Sequence, residues 1–191
     1  MPAAIVPKPP SDMKLLGISG SLRRVSTNSA LLRALADSAP DGITIEISEL
    51  IGELPIFNPD REGDLTPATV EVFGRQIREA DGLIFACPEY AHGIPGGLKN
   101  ALDWMVSRDE IPNKPAMLVR ASTRSDHALA ALQEVLRTMS LRLMPEAGFA
   151  VHLLGKAAER MEEILSAAEA RDGMREALMR FDAFIRGERS A

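Results

Sequence analysis

Short apolar runs of strand length alternate along this chain with longer segments of helical periodicity, and this alternation is what most restricts its fold. The run GLIFACP at residues 82–88 is apolar almost throughout, as expected of a strand that is buried on both faces. Segments whose apolar residues recur at helical spacing precede and follow it, at residues 70–80 and 98–105. Strands that alternate with helices form parallel sheets, with the crossover helices packed on the faces.

The same alternation runs along most of the chain and predicts five strands, at residues 14–19, 43–48, 82–88, 115–122 and 148–154. Helices are predicted around the apolar stripes at residues 31–36, 70–80, 98–105 and 127–139. A terminal helical region at 157–186 is expected to break near Asp172 and Gly173. The predicted fold is an α/β doubly wound, five-stranded parallel sheet with helices on both faces. Ligands bind such sheets beyond the carboxyl ends of the strands, which directs attention to the loops after strands one and three.

Length, composition and net charge restrict the classes of function that the chain can have. With 191 residues, 46% of them hydrophobic, the chain can bury a substantial core, and we expect a disordered arm at 1–12 before one domain at 13–191. A net charge of −5 argues against nucleic-acid and membrane-surface partners, and no run is long enough to span a bilayer. The proline-rich start does not resemble a signal peptide, so we expect a cytoplasmic protein.

Redox chemistry would need a borrowed cofactor. The single cysteine, Cys87, excludes an intramolecular disulfide and a Cys-x-x-Cys pair. The three histidines lack metal-ligand spacing, so no metal site is expected.

The first candidate loop, GSLRRVSTN, joins a predicted strand to a predicted helix. A helix N-terminus favours an anion, and Ser21, Arg23, Ser26 and Asn28 would add directed donors there. The glycines fit neither a P-loop nor a Gly-x-Gly-x-x-Gly motif, so a single phosphate is a better match than a pyrophosphate. The alternative is that these residues only cap the helix and interact with solvent.

The second candidate loop, PEYAHGIPGGLKNALDW, is rich in glycine and contains the aromatic ring of Tyr90. Such glycines permit close backbone approach to a flat ligand. Together with GSLRRVSTN, and with LPIFNPD and ADGLIFACPEY between them, this loop resembles the signature segments of the NADPH-dependent FMN reductase family. That family comprises flavodoxin-like flavin, quinone, chromate and azo reductases, and the match runs in order over residues 14–104.

The resemblance implies an FMN-dependent oxidoreductase that passes a hydride from NADPH or NADH to a small acceptor such as a quinone or a flavin. The chemistry would take place on N5 of the flavin, with no indispensable catalytic side chain. A homodimer or homotetramer with its interface beside the flavin is also implied. The phosphate cradle would comprise Ser19, Ser21, Arg23, Ser26, Thr27 and Asn28, and the ring would be bordered by Pro88, Glu89, Tyr90, Ala91, His92, Gly93 and Ser122.

Two positions depart from the family pattern. Many members have Asn where this chain has Ala91, and many have a Ser-x-Gly-x-x-Gly-Gly loop where this chain has RASTRSDHALA. The second departure bears on nicotinamide and substrate preference. Two other functions therefore stay open: a flavodoxin-type electron carrier without nicotinamide turnover, and a flavodoxin-like binding module that has lost the flavin.

Several other residues have both a functional and a structural interpretation. His92 would face the flavin or solvent, and Glu89 would organise its loop or a subunit contact. Trp104 would belong to the core or to an interface. Cys87 and His152 are predicted in strands, where structural roles are expected for both.

Overall fold

The central feature of the fold is a parallel sheet, described by a computed structural model that covers residues 12–145 and 148–187. Its strands are β1 (Met13–Ser19), β2 (Ile43–Ser48), β3 (Gly82–Ala86), β4 (Pro115–Arg120), β5 (Arg142–Leu143) and β6 (Phe149–Ala150). The helices are α1 (Thr27–Asp37), α2 (Ala68–Glu79), α3 (Gly96–Met105), α4 (Asp126–Thr138), α5 (Ala158–Ser166) and α6 (Ala168–Arg186), and short 3₁₀ turns lie at Leu50–Gly52, Pro59–Arg61 and Gly63–Leu65.

The strand order is β2-β1-β3-β4-β5, with β6 also paired to β4, and every pair is parallel. β1 therefore lies between β2 and β3, and the chain order reverses beside it. That reversal is a topological switch point, where the loops after β1 and β3 diverge and leave room for a ligand. The predicted doubly wound α/β fold is confirmed.

Two apolar cores lie on opposite faces of the sheet, because side chains alternate along each strand. On β1, Leu16 packs into the core shared with α2, α3 and α4, whereas its neighbour Leu15 packs into the core shared with α1, α5 and α6. On β3, Leu83 and Ile84 divide between the same two cores. This alternation explains why the run at 82–88 shows no polar face.

The fifth position of the sheet differs from the prediction of one strand at 148–154. It is occupied by two short strands, of which β5 pairs with Pro115 and Ala116 and β6 pairs with Val119 and Arg120. Pro145, between them, has no backbone N–H to donate and so cannot continue a ladder. The edge of the sheet is thus built in two pieces, and the first of them was missed.

The break in the terminal helical region also differs from the prediction. α5 ends at Ser166 and α6 begins at Ala168, and between them Ala167 has extended backbone (φ −59°, ψ 144°). α6 continues through Gly173, where a Cβ would come within 2.9 Å of the Phe149 ring. That glycine permits close packing of α6 on the sheet edge, so the expected break near Asp172 and Gly173 was wrong. The disordered arm expected at 1–12 lies, except for Asp12, outside the described residues.

Candidate functional site

Three loops, which follow β1, β3 and β4, meet at the carboxyl edge of the sheet and enclose a cleft of about 130 Å³. The first two loops are those on which the sequence placed its candidate site. Most of the predicted residues line this cleft: Ser21, Arg23, Ser26, Thr27, Asn28, Pro88, Glu89, Tyr90 and Ser122.

The first turn of α1 presents donors to the cleft. Ser26 is the N-cap, and its Oγ accepts a 3.2 Å hydrogen bond from the Ser29 N–H. The N–H groups of Thr27 and Asn28 find no acceptor within the described residues. The side-chain amide of Asn28 likewise has no partner there, although this residue is only 5% exposed and borders the cleft. The Asn28 amide and the two helix N–H groups are thus left open to the cleft, and this geometry favours a ligand that accepts hydrogen bonds.

Ser19 shapes the loop from beneath and does not line the cleft. Its Oγ accepts the Ser21 N–H at 3.2 Å and lies 2.9 Å from Ser29 Oγ. These contacts fix the turn that leads from β1 to α1, so the hydroxyl of Ser21 is left at the cleft wall. The structure therefore brings Ser21, Ser26 and Asn28 to the cleft and assigns Ser19 a supporting position.

The second loop is a tight hairpin. The N–H of Tyr90 donates to the carbonyl of Gly93 at 3.2 Å, and the N–H of Gly93 donates back to Tyr90 at 2.9 Å. The two central residues, Ala91 and His92, both have left-handed backbone, with φ of 49° and 59°. This is the pattern of a type I′ turn, which Asn and Gly adopt most readily. Ala91, His92 and Gly93 form the tip beside the cleft and are not among the residues that line it.

Glu89 joins the second loop to the third. Its Oε2 accepts a 3.0 Å hydrogen bond from the Ala128 N–H in the first turn of α4. A carboxylate at a helix N-terminus is favourable, since it satisfies an unpaired donor and interacts with the helix dipole. Of the two roles considered for Glu89, the structure thus supports organisation of the loops.

A ring contact and a turn complete the third loop. The imidazoles of His92 and His127 stack, with centroids 4.4 Å apart and planes inclined by 15°. The Oγ of Ser122 accepts the Arg124 N–H at 3.0 Å. This turn places Arg124 and Ser125 at the cleft, and neither was predicted from the sequence. Their position directly after a buried strand was the signal that could have indicated them.

Cys87 lies at the cleft and outside the strand in which it was predicted. β3 ends at Ala86, and the half-buried Cys87 thiol donates to the Pro88 carbonyl at 3.3 Å. Burial, together with the negative charge of Glu89, raises the pKa of the Cys87 thiol to about 12. The sulfur therefore stays protonated at neutral pH and is a poor nucleophile.

Two further expectations are resolved by the fold. Trp104 is 1% exposed and belongs to the core, where its Nε1 donates to the Pro55 carbonyl at 2.7 Å. His152 was predicted in a strand, but it follows β6 as an exposed loop residue, with Nδ1 3.4 Å from Thr123 Oγ1.

The charge balance of the cleft suits an anion. Arg23 and Arg124 line it and form no ion pair with the residues that the structure describes. Its one carboxylate, from Glu89, is already bonded to α4. Unpaired guanidinium groups beside free helix N–H groups match the oxygens of a single phosphate. None of the helices in the described ranges 12–145 and 148–187 is both long and apolar enough to cross a membrane.

A doubly wound sheet with a group of anion-binding donors in a cleft at its switch point is typical of flavodoxin-like proteins. The FerB flavoenzyme of Paracoccus denitrificans, an NAD(P)H:(acceptor) oxidoreductase, has a similar structure, with a TM-score of 0.72 and 26% identity over 92% of this chain and 98% of FerB. The model of the NADPH-dependent FMN reductase family matches residues 13–156, and the chain belongs to that family.

Curated relatives give the same result. An NAD(P)H-dependent FMN reductase of Pseudomonas aeruginosa is 46% identical over 113 residues, which is 58% of this chain. The chain spans 60% of the length of that relative. A quinone reductase of Pseudomonas putida is 34% identical over 149 residues, which cover 76% of this chain and 80% of the relative.

Proposed function

We propose that this protein is an FMN-dependent NAD(P)H oxidoreductase that reduces a small acceptor such as a quinone or a free flavin. The observation that carries the proposal is the group of donors at the start of α1: the Asn28 amide and two helix N–H groups, none with a partner in the described structure, all border the cleft. Relatives named FMN reductase and quinone reductase support the same function.

The loops divide the work of holding the cofactor. Arg23, Asn28, Ser21 and the N–H groups of α1 would bind the phosphate, and their charge and geometry suit its dianion. Ser19 and Ser26 would contribute indirectly, because their hydrogen bonds fix the turn that carries the phosphate-binding groups. We propose that Arg124 adds a second positive charge at the same cleft.

The ring would lie against the second and third loops. Pro88, Tyr90 and Ser122 offer the cleft wall, and the hairpin tip formed by Ala91, His92 and Gly93 would border the ring beyond it. When bound, FMN would supply the redox chemistry, as the carrier of a hydride from NAD(P)H to the acceptor. The residues that line the cleft would orient the ring and the substrate relative to each other. We place this reaction in the cytoplasm, where NAD(P)H is supplied.

An anaerobic titration of the FMN-reconstituted full chain with NADPH, and in parallel with NADH, tests this function. We expect the flavin absorbance near 450 nm to bleach and to return when a quinone is added. Bound flavin that neither nucleotide bleaches would indicate an electron carrier instead. A chain that binds no FMN would overturn the proposal and favour the flavin-free binding module.

We further propose that the protein forms a homodimer or homotetramer through the surface beside α3. Ile56, Leu65 and Val106 are 81%, 68% and 63% exposed. The segments that carry them adjoin one another, because Trp104 bonds Pro55 and a surface recess joins the 3₁₀ turn at Gly63–Leu65 to the end of α3. Apolar side chains so exposed favour a protein partner.

Sedimentation equilibrium tests this assembly. The wild type is expected to sediment as a dimer or tetramer, and Val106→Asp is expected to lower the association constant at unchanged secondary structure. Val72→Asp, on the outer face of α2, is the comparison variant for a charge placed on another exposed valine. A monomeric wild type would overturn the proposal.

A further inference from the structure

A second cleft lies between α1 and α5, on one face of the sheet, and extends to residues 24–26 of the loop that follows β1. Its volume is about 470 Å³, against about 130 Å³ for the cleft at the ends of β1, β3 and β4, which is called the flavin cleft below because it is the proposed FMN site. One wall runs from Arg24 to Ser38, along the whole of α1, and the other is formed by α5 and the start of α6. A cavity of this size falls within the range of sites that bind small molecules.

The floor of this α1–α5 cleft is apolar. Ala30 and Ala34 line it from α1, and Met161 and Leu165, which are 5% and 6% exposed, line it from α5. Because Ala30 and Ala34 are small, a gap remains between α1 and the larger side chains of α5. Such a floor favours a ligand with an apolar or aromatic body.

The rim of the α1–α5 cleft is positively charged. Arg24, Arg33 and Arg171 all line it, and none of the three pairs with a carboxylate among the described residues. Other arginines of the same region, such as Arg160, do form ion pairs with neighbours on their own helix. All three side chains are exposed, so their guanidinium groups are open to a ligand that lies on the apolar floor.

Two carboxylates, Asp37 and Glu162, also line the α1–α5 cleft. They leave one positive charge in excess and restrict the ligand to one with few negative groups. A single anionic group on an apolar body satisfies both the floor and the rim.

We propose that the α1–α5 cleft binds a small organic anion, with its apolar body on the alanine and methionine floor and its carboxylate, sulfonate or phosphate group paired with the arginines. This site is distinct from the flavin cleft, since the adjacent residues Arg23 and Arg24 line different cavities. Ser26 lines both, so the two sites meet at the N-cap of α1.

Isothermal titration with 8-anilinonaphthalene-1-sulfonate tests the proposal on the full chain, with excess FMN present to occupy the flavin cleft. Wild type is expected to bind one molecule per chain. Arg33→Ala and Arg171→Ala are each expected to weaken binding about tenfold or more, as expected for the loss of a charge-assisted hydrogen bond. Ala34→Trp, which fills the floor without changing the charge, is expected to abolish it.

Two controls show whether the probe occupies the α1–α5 cleft. Arg137→Ala removes the same charge from an exposed position on α4, so it should bind the probe as wild type does. Probe binding that falls as the FMN concentration is raised would mean that the probe occupies the flavin cleft and would overturn the proposal. Wild-type binding in Arg33→Ala and Arg171→Ala, or in Ala34→Trp, would equally overturn it.

Discussion

Two groups of charged residues, at different places in the fold, differ in whether their arginines are paired with carboxylates. Between α2 and the segment that follows α3, Arg108 donates to Glu71 at 2.7 Å and to Glu110 at 2.8 Å. Arg78 reaches Glu110 as well, at 3.0 Å. The Glu110 side chain is only 1% exposed, so this network is closed and its charges are satisfied within the protein.

The flavin cleft shows the other arrangement. Arg23 and Arg124 line it with no carboxylate partner among the described residues, and Asn28 has no partner for its amide. A closed network stabilises the fold and leaves nothing for a ligand to bind. An open one contributes little to folding and is ready for an anion.

Gly74 shows how closely the closed network is fitted to α2. A Cβ at this position would come within 2.8 Å of Nη2 of Arg108, so a larger residue would displace the guanidinium group from the helix. Removing Arg108 would therefore remove packing as well as charge, which makes it the most sensitive member of the network.

The largest expected effect is the loss of this arginine. Arg108→Ala leaves Glu110 buried with one partner fewer, and we expect the free energy of unfolding to fall by about 3–5 kcal/mol, the usual cost of breaking a buried pair. Urea denaturation of the full chain measures it. Arg137→Ala, at an exposed position on α4, should change stability by less than about 0.5 kcal/mol. Equal stability in the two variants would contradict the role of the network.

Acid should weaken the same network. Burial raises the pKa of Glu110, but hydrogen bonds from Arg108 and Arg78 outweigh it and hold the pKa at about 2. A carboxyl whose pKa is lower in the folded state stabilises the fold above its unfolded pKa, and this contribution is lost as the pH falls towards the folded value. We therefore expect the free energy of unfolding to decrease between about pH 5 and pH 2.

The variant Glu110→Gln isolates that contribution. It should be less stable than wild type at pH 7, and its stability should depend less on pH across the same interval. Glu159→Gln, an exposed change in the first turn of α5, is the matched control. If Glu110→Gln kept the wild-type slope, another group would have to account for the acid sensitivity.

At the open site the expected effect is on the ligand. Arg23→Ala should weaken FMN binding by about 1.5–3 kcal/mol, roughly 10- to 150-fold, because a charge-assisted contact to the phosphate is lost. Fluorescence titration of FMN measures the dissociation constant. Arg24→Ala is the matched control, since the neighbouring arginine lines the α1–α5 cleft instead. Unchanged affinity in Arg23→Ala, or equal losses in the two variants, would contradict the phosphate cradle.

Features that neighbouring residues determine could be predicted from the sequence better than features that depend on contacts between distant segments. The strand at 43–48 was predicted at its observed bounds because its β-branched residues alternate locally, and the cap at Ser26 was indicated by its neighbours. The split edge at β5 and β6 is marked locally by Pro145, which the prediction did not use, whereas no glycine or proline marks the helix break at Ala167. Gly173 was interpreted as a breaker because its contact with Phe149 is not visible in the chain.

The residues that line the candidate cleft could be predicted to a similar extent. Hydroxyl, amide and arginine side chains at a strand-to-helix turn indicated an anion, and the structure brings most of them to one cleft. The hydrogen bond from Ala128 to Glu89 and the stacking of His92 on His127 join loops far apart in the sequence. Such contacts follow from the topology of the sheet, and no local pattern encodes them.

The smallest expected effect concerns the hairpin tip, where the backbone rather than a charge sets the geometry. Ala91 has left-handed backbone with φ of 49°, which costs a residue with a Cβ about 1 kcal/mol, whereas Asn adopts this region more readily. Ala91→Asn should therefore raise the free energy of unfolding by up to about 1 kcal/mol, and Ala91→Val should lower it. Thermal denaturation of both variants, at fixed FMN concentration, measures the difference. If Asn and Val shifted the melting temperature alike, backbone strain at Ala91 would not limit the stability of the protein. The hairpin tip would then differ from the phosphate cradle only in the contacts that its residues make.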